Sequence, residues 1–393
     1  MKPILPGATL GVMGGGQLGR MFVHAAQRLG YFTAVLDPDP ESPAGRVSHH
    51  HVQADYVDVD ALAHFAGLAD AITTEFENVP AASLEHLAVA RPVSPAAAAV
   101  AIAQDRIREK AHFVGCGVDC APYVAVESDD VLSVVPANLF PGLLKTARLG
   151  YDGKGQQRVG SRAELVAAWK AVGQQPCVLE KLMPIDYECS VVLARGRDGL
   201  LVHYPPQRNL HRGGILAVTE AHDQALPDDV AQRAAQAALS IAEGMEYVGV
   251  LCVEFFVLEG GALVVNEMAP RPHNSGHWTT DACDVSQFEL QVRTLTGLPL
   301  NPPRQHSPAV MLNLLGDLWF LEADGVRPDK PLEPRWADVL KLPGTHLHLY
   351  GKVEPRAGRK MGHLTLTGDS VAAVRSTADF AAAMLGLPIP LTE

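Results

Sequence analysis

Two glycine-rich segments, a lysine ahead of the second, and a pair of glutamates are the residues of this 393-residue sequence whose types and spacing could do chemistry. Gly14-Gly15-Gly16-Gln17-Leu18-Gly19 follows a strand pattern, opens a helix pattern and fits G-x-G-x-x-G. Glycines there permit a tight turn and close approach of a ligand, and the start of the helix offers unpaired N–H groups to an anion. Asp37 ends the next strand about 20 residues on, where a dinucleotide-binding protein would hold its ribose. By itself the motif leaves several readings open: a nicotinamide oxidoreductase, a turn that is merely tight, or a phosphate or substrate site of another kind.

The middle of the chain narrows the choice. Lys145 precedes Gly150-Tyr151-Asp152-Gly153-Lys154-Gly155-Gln156, a glycine loop flanked by strands. Such a loop can fold over a polyphosphate with backbone N–H groups and cations, and its glycines let it open and close. Glu180-Lys181-Leu182-Met183 ends another strand, where carbonyls and an amide could read an adenine edge; Glu188 follows at strand spacing. Glu254 and Glu267 lie on two strands that turn at Gly260-Gly261, opposite each other or one residue out of register. A glycine bulge absorbing the odd residue would bring both to one face. Two carboxylates on one face repel unless a cation lies between them, and hard oxygens suit magnesium carrying nucleotide phosphates. Asn266 adds a neutral oxygen, and the apolar neighbours Val250, Val253, Phe255 and Val265 argue against a solvated hairpin.

The elements that must position these groups follow from hydrophobic patterning. Strand and helix signals alternate over residues 9–13, 18–29, 32–36, 55–59, 61–68 and 71–74, which implies a parallel sheet with helices on its faces. From about residue 124 the pattern changes to strands joined by glycine-rich turns, at 143–146, 156–159, 177–181 and 188–194, with a helix over 163–172. A helix at 230–243 precedes strands at 248–258 and 262–268; residues 298–308, rich in proline, read as a linker. Strands at 345–349 and 362–367 and a helix at 378–385 complete the chain. The expectation is three domains: residues 1–105, residues 106–300 with a lid subdomain at about 120–185, and residues 308–393.

Lys and Arg total 32 against 44 Asp and Glu, a formal net charge of −12, so nucleic acid and anionic membranes are poor partners. No apolar run approaches the ~20 residues needed to span a bilayer. Pro3, Pro6 and Gly7 interrupt the first residues where a signal peptide would need an apolar core. Six cysteines in a chain of this length read as reduced thiols, and a cytoplasmic location is expected. His49-His50-His51 reads as a polar strand edge, and His346 with His348 as sheet-lining residues rather than metal ligands.

Lys145, GYDGKGQ, EKLM at 180–183, Glu254 and NEMAPRPHNSGHWT at 266–279 resemble the ATP-grasp family. With GGGQLGR at 14–20, TEFENVP at 74–80, NLHRGGI at 209–215 and GRKMGHLT at 358–365, the chain closely resembles the 5-(carboxyamino)imidazole ribonucleotide synthase branch of purine biosynthesis over nearly its whole length. The resemblance implies an α/β and α+β chain: an ATP-grasp fold with an N-terminal Rossmann-like parallel-sheet domain and a small β-rich C-terminal domain. The implied reaction carboxylates the exocyclic amine of aminoimidazole ribonucleotide with bicarbonate and ATP, through carboxyphosphate. ATP and magnesium (two ions) are implied, with neither NAD nor biotin, in a homodimer.

The resemblance also implies roles residue by residue. Arg106, Lys145, Gly150, Tyr151, Asp152, Gly153, Lys154, Gly155 and Gln156 would contact the phosphates or nucleotide. Glu180, Lys181, Leu182, Met183 and Glu188 would hold adenine and ribose, with His211, Asn266 and Glu267 beside the nucleotide. Glu254 and Glu267 would bind magnesium. Gly16, Gln17, Glu75, His273 and Asn274 would contact substrate, with Lys352, Arg359 and Lys360 at the ribotide phosphate. Tyr151, Lys154, His273 and Asn274 would be catalytic.

Overall fold

Short apolar runs build the first sheet. Strands β1 (Thr9–Met13), β2 (Phe32–Leu36), β3 (His50–Val52) and β4 (Ala71–Thr74) pair in parallel in the order β3-β2-β1-β4. The helices Gln17–Arg28 and Val59–Leu68 help cover its faces, and Gly11 is required where Phe65 packs, since a Cβ there would lie 2.8 Å from that ring. Residues 55–58 form a turn in place of the predicted strand at 55–59. Asp55 accepts the Val57 N–H at 3.1 Å, and Asp58 caps the next helix by accepting the Ala61 N–H at 3.0 Å. Acidic side chains that capture backbone donors compete with a strand ladder, so the strand forms earlier, at the polar edge His50–Val52. The computed structural model describes residues 2–148, 150, 155–321 and 328–388.

A second, antiparallel sheet holds β5 (Tyr123–Val126), β6 (Gly142–Thr146), β7 (Gln156–Val159) and β8 (Cys177–Lys181), in the order β5-β8-β6-β7. The helix Arg162–Ala171 seats Leu165 and Trp169 on it.

The third sheet is the largest. It comprises β9 (Ile185–Arg195), β10 (Leu201–His203), β11 (Gln207–Arg212), β12 (Ile215–Ala221), β13 (Gly249–Leu258), β14 (Leu263–Ala269), β15 (Ala309–Leu315), β16 (Thr345–Leu349) and β17 (Lys360–Thr367). The order is β14-β13-β9-β11-β12-β15-β17-β16, with β10 on β9, so the sheet passes over the predicted boundary near residue 308 through the β12–β15 pair. Alternation sorts its two faces. Cys189, Val191 and Leu193 of β9 and Leu251, Val253 and Phe255 of β13 pack on the helix Asp228–Gly244 through Ala234, Ala238 and Ile241. The intervening residues face the other way, where Val192, Ala194, Val250 and Cys252 join a second apolar core and a polar patch lies beside them: Glu188 and Ser190 on β9, Gln207 and Asn209 on β11, Thr219 on β12 and Glu254 on β13 stand in register.

The first sheet is held to the third by the helix Gln287–Thr296, whose Val292 and Leu295 join the core containing Phe22 and Val23 while Gln291 donates to Thr73 Oγ1 at 3.1 Å. The last helix, Val371–Leu385, starts earlier than residues 378–385 suggested, because the Ser370 side chain accepts the Ala373 N–H and caps it. Among the described residues no helix is long and apolar enough to cross a membrane.

Candidate active site

Glu254 on β13 and Glu267 on β14 are direct cross-strand partners, so both side chains leave the same face of the sheet. The register slips between Glu254 and Phe255, where Phe255 pairs with Val265. The extra residue is therefore Asn266, beside Glu267, and not a glycine of the turn as the sequence suggested. Gly260 and Gly261 instead close a tight loop at φ of 89° and 83°, with the Gly261 N–H donating to Leu258 O at 2.8 Å.

In front of this pair opens a cleft of about 540 Å³. Glu109, on the helix Arg106–Gly115, joins the two glutamates there and accepts the Met268 N–H at 2.8 Å. Burial, then the charge of Glu267, pushes the Glu254 carboxyl up to about 7 and that of Glu109 up to about 8. Arg106 answers with Nη1 at 3.2 Å from Glu267 Oε2 and Nη2 donating to Gly150 O at 3.1 Å. Three carboxyl groups against one guanidinium form a donor set of hard oxygens that a divalent cation would satisfy, and magnesium fits it. Cys252, Glu254 and His273 also come within 4.8 Å of one another, but burial raises the Cys252 thiol far above its ordinary value, so no thiolate is available for a softer metal.

On the lid side, Glu180 is wedged between Lys145 at 2.9 Å and Lys110 at 3.1 Å, all three buried. Burial would raise the Glu180 carboxyl, but the two lysines outweigh it and hold it below the ordinary range. Glu180 is thus the counter-charge that aims two cations, and Lys145 lines the cleft with Gly150 and Gln156. The Lys181 and Leu182 amides donate to Pro122 O and Pro141 O at 2.9 and 3.0 Å, which leaves the Met183 amide as the donor of this segment without a partner among the described residues. Glu188 and His211 meet at 2.9 Å in the cleft; burial opposes a charged imidazole there, and the Glu188 hydrogen bond prevails to raise it. Gly155 adopts φ of 73°. Tyr151, Asp152, Gly153 and Lys154 lie outside the described residues.

The first glycine loop is already occupied by the protein itself. Gly15 N–H donates to Asp37 Oδ2 at 2.6 Å, and the Gly16 and Gly19 N–H groups donate to Glu75 at 2.7 and 3.0 Å. Asp37 also accepts the Tyr56 hydroxyl at 2.6 Å. A dinucleotide would find both its pyrophosphate donors and its ribose acceptor engaged. Gly16 is obligatory, since a Cβ there would stand 2.4 Å from Glu75 Oε1. Lys352 donates to Gln17 Oε1 at 2.5 Å and to Lys360 O at 2.7 Å, which joins the first domain to β17. Burial, then Arg359, lowers the Lys352 ammonium to about 8. Arg359 donates to Glu354 O at 2.7 Å, and Lys360 lines the cleft.

His273 and Asn274 close the cleft floor. His273 Nε2 lies 3.2 Å from Glu254 Oε1, and burial, then Arg271 and Lys360, keep the ring neutral. Asn274 is 6% exposed and lines the cleft, yet among the described residues neither its amide nitrogen nor its oxygen has a partner. A buried amide left bare in a cleft is what a polar ligand would satisfy.

Sequence reasoning missed Glu109, Lys110, and the Glu77–Arg271 pair at 2.5 Å that ties the first domain to the floor loop. The available signal was spacing: Arg106, Glu109 and Lys110 are three and four apart on one helix and share a face. His346 and His348 flank Asp281 at 3.7 and 2.9 Å, but the His348 and His363 rings stack 14° from parallel, so their in-plane lone pairs do not converge on one ion.

Comparison with known proteins agrees with this geometry. Residues 7–104 match a family model described as the ribonucleotide synthetase preATP-grasp domain. Residues 111–288 match the ATP-grasp domain, and residues 309–377 the phosphoribosylaminoimidazole carboxylase C-terminal domain. The chain is 43% identical over 369 residues to N5-carboxyaminoimidazole ribonucleotide synthase of Brucella melitensis, covering 92% of this chain and 96% of that one. It is similar to the Staphylococcus aureus N5-carboxyaminoimidazole synthetase crystallised with ADP (TM-score 0.87, 36% identity, 98% of this chain and 99% of that one). It is also similar to the Aspergillus clavatus N5-carboxyaminoimidazole synthase in complex with ADP and 5-aminoimidazole ribonucleotide (TM-score 0.84, 28% identity, 96% and 98%).

Proposed function

The chain belongs to the N5-carboxyaminoimidazole ribonucleotide synthase family of ATP-grasp ligases in purine biosynthesis, and from that premise we propose how its cleft runs the reaction. The enzyme uses ATP to carboxylate the exocyclic amine of aminoimidazole ribonucleotide, with bicarbonate as the carbon donor. Bicarbonate is a poor electrophile. An oxygen of it attacks the γ-phosphorus of ATP, ADP leaves, and the carboxyphosphate formed carries phosphate as a leaving group. The amine nitrogen then attacks the carboxyl carbon, directly or after release of carbon dioxide within the closed cleft; phosphate departs and the amine loses a proton.

Magnesium held by Glu254 and Glu267 would spread the charge of the phosphates. The protein's own residues orient and enclose the reactants. Lys145, aimed by Glu180, and Arg106, aimed by Glu267, meet the phosphates. The Met183 amide reads the adenine edge, and Glu188 with His211 holds the ribose. Lys352, Arg359 and Lys360 anchor the ribotide phosphate, with Gln17, hydrogen-bonded to Lys352, and Glu75 as further contacts to the ribotide. Asn274 and His273 bond the carboxyl being transferred, and the 150–156 loop, with Tyr151 and Lys154, closes over it to exclude water.

The observation that carries this reading is the direct Glu254–Glu267 pairing in a cleft that also holds Arg106, Lys145 and the unpartnered Asn274. Phosphate release from ATP that requires both ribotide and bicarbonate is the expected result; ATP hydrolysis indifferent to the ribotide would overturn the reading. The proposal includes a homodimer, expected to appear as twice the chain mass in sedimentation.

A further inference from the structure

A buried file of hydroxyls and amides runs across the polar face of the third sheet and ends on His273. Thr219 Oγ1 donates to Asn209 Oδ1 at 3.1 Å, and Asn209 Nδ2 donates to Ser190 Oγ at 2.7 Å. The Ser190 and Ser275 hydroxyls lie 2.8 Å apart, and Ser275 Oγ lies 2.9 Å from His273 Nδ1. Thr219, Ser190 and Ser275 are wholly buried and Asn209 nearly so. Gln207 braces the file: its amide nitrogen pairs with the Pro205 and Ser190 carbonyls at 3.1 and 3.2 Å, and its oxygen faces the two hydroxyls.

The file has a direction. An amide NH₂ can only donate and an amide oxygen can only accept, so Ser190 accepts from Asn209 and gives its single proton to Ser275 or to the Gln207 oxygen. At the far end the Ser275 backbone N–H, which also can only donate, points at His273 Nδ1 at 3.3 Å. A proton on Nδ1 would oppose that N–H at close range. Nδ1 is therefore the acceptor of both the Ser275 amide and hydroxyl, and in a neutral ring the proton sits on Nε2, facing Glu254 Oε1 at 3.2 Å.

We propose that Asn209, Ser190 and Ser275 are positioning residues that lock His273 as its Nε2–H tautomer, making it a hydrogen-bond donor at the carboxylation centre and not the base that removes the amine proton. This rests on the functional reading above and deepens it. Asn209 and Ser275 fall in the NLHRGGI and HNSGH segments, to which the reaction itself assigned no role for these two residues.

The test uses the full chain labelled with ¹⁵N-histidine, with His273 assigned by the signals lost in His273→Gln. The wild-type protein should show a bare Nδ1 and a protonated Nε2 before any substrate is added. Ser275→Ala removes the hydroxyl and leaves the backbone N–H as the one donor to Nδ1, and Asn209→Asp replaces the fixed donor by an acceptor; each should bring up a minor Nδ1–H population. Each should also lower kcat by about tenfold or more, with KM for ATP within about twofold and the thermal melt preserved. His273→Gln, whose amide nitrogen stands near the place of Nε2–H, should turn over about tenfold faster than His273→Ala. A wild-type Nδ1–H signal, unchanged tautomer and kcat in both file variants, or equal loss in His273→Gln and His273→Ala would each overturn the proposal. Failure of the functional reading is separate, since it appears as missing ribotide-dependent phosphate release in the wild-type chain while the tautomer is read without substrate.

Discussion

At the first glycine loop, backbone N–H groups meet carboxylates that the protein itself supplies, Asp37 on Gly15 and Glu75 on Gly16 and Gly19. At the β13–β14 hairpin, Glu254, Glu267 and Glu109 meet one another across a cleft with Arg106 as the partner of Glu267. In the first arrangement every one of these donors already has an acceptor, so the loop forms a shaped wall, with burial holding the Glu75 carboxyl above its ordinary range. The second is incomplete, and its hard oxygens are a set that a divalent cation would complete. Similar residue types at two sites thus separate a shaped surface from a charged socket, and the difference is whether backbone donors already fill the carboxylates or several carboxyl groups share one guanidinium.

The comparison is broken most severely at the socket. Glu267→Gln keeps the shape and removes an ion ligand, so kcat should fall by ~100-fold or more while the thermal melt holds. Near-normal turnover in a phosphate-release assay would put the ion elsewhere. Glu180→Ala strips the counter-charge from two buried lysines, and an uncompensated buried charge costs about 3–5 kcal/mol. Urea denaturation should register that loss; an unchanged midpoint would mean that Lys145 and Lys110 do not depend on Glu180.

The built-in wall should respond by distortion. Gly16→Ala forces a Cβ to within 2.4 Å of Glu75 Oε1. Stability should drop by ~1–3 kcal/mol, as overpacking does, and KM for the ribotide should rise more than KM for ATP. If both constants stay at wild-type values, the loop is not part of the acceptor surface. The smallest effect is expected at Lys352, whose ammonium is lowered from 10.5 to about 8. It is charged below that pH and loses its proton as pH rises through it, so the ribotide KM should climb above pH 8 while the ATP KM stays level. Because the unfolded chain keeps this proton up to the ordinary value, the substrate-free protein gains stability from this group between those pH values. Lys352→Arg, always charged, should flatten the KM profile; a slope that survives would assign the titration to another group.

Local patterning carried much of the architecture. Strands at Thr9–Met13, Phe32–Leu36, Gln156–Val159, Cys177–Lys181 and Thr345–Leu349 stand where apolar runs and the turns that flank them place them. Where expectation and structure part, a side chain took over a backbone group: Asp55 and Asp58 turned a presumed strand into a turn and cap, and Ser370 started the last helix early. In the cleft, Glu267, His273 and Asn274 were legible because they share the NEMAPRPHNSGHWT segment, and Lys145, Glu188 and Glu254 because they sit on strands beside a glycine loop, the EKLM segment and the Gly260-Gly261 turn. Glu109 and Lys110 were not, because an acid and a base in a helix look like a solvated pair until a sheet and a lid are packed over them.

The sequence determined which groups the chain owns and how they alternate, since a strand's period of two sends Glu254 one way and Val253 and Phe255 the other whatever surrounds them. Only the tertiary structure decided what each group faces. The bulge fell at Asn266, the first loop was capped by Asp37 and Glu75, and a file of hydroxyls from β9, β11, β12 and the floor loop came to rest on His273. Hydrogen bonds and charges act over a few ångströms, and contacts such as Ser190 with Ser275 and Gln17 with Lys352 join residues tens to hundreds of positions apart, a distance that no local pattern encodes.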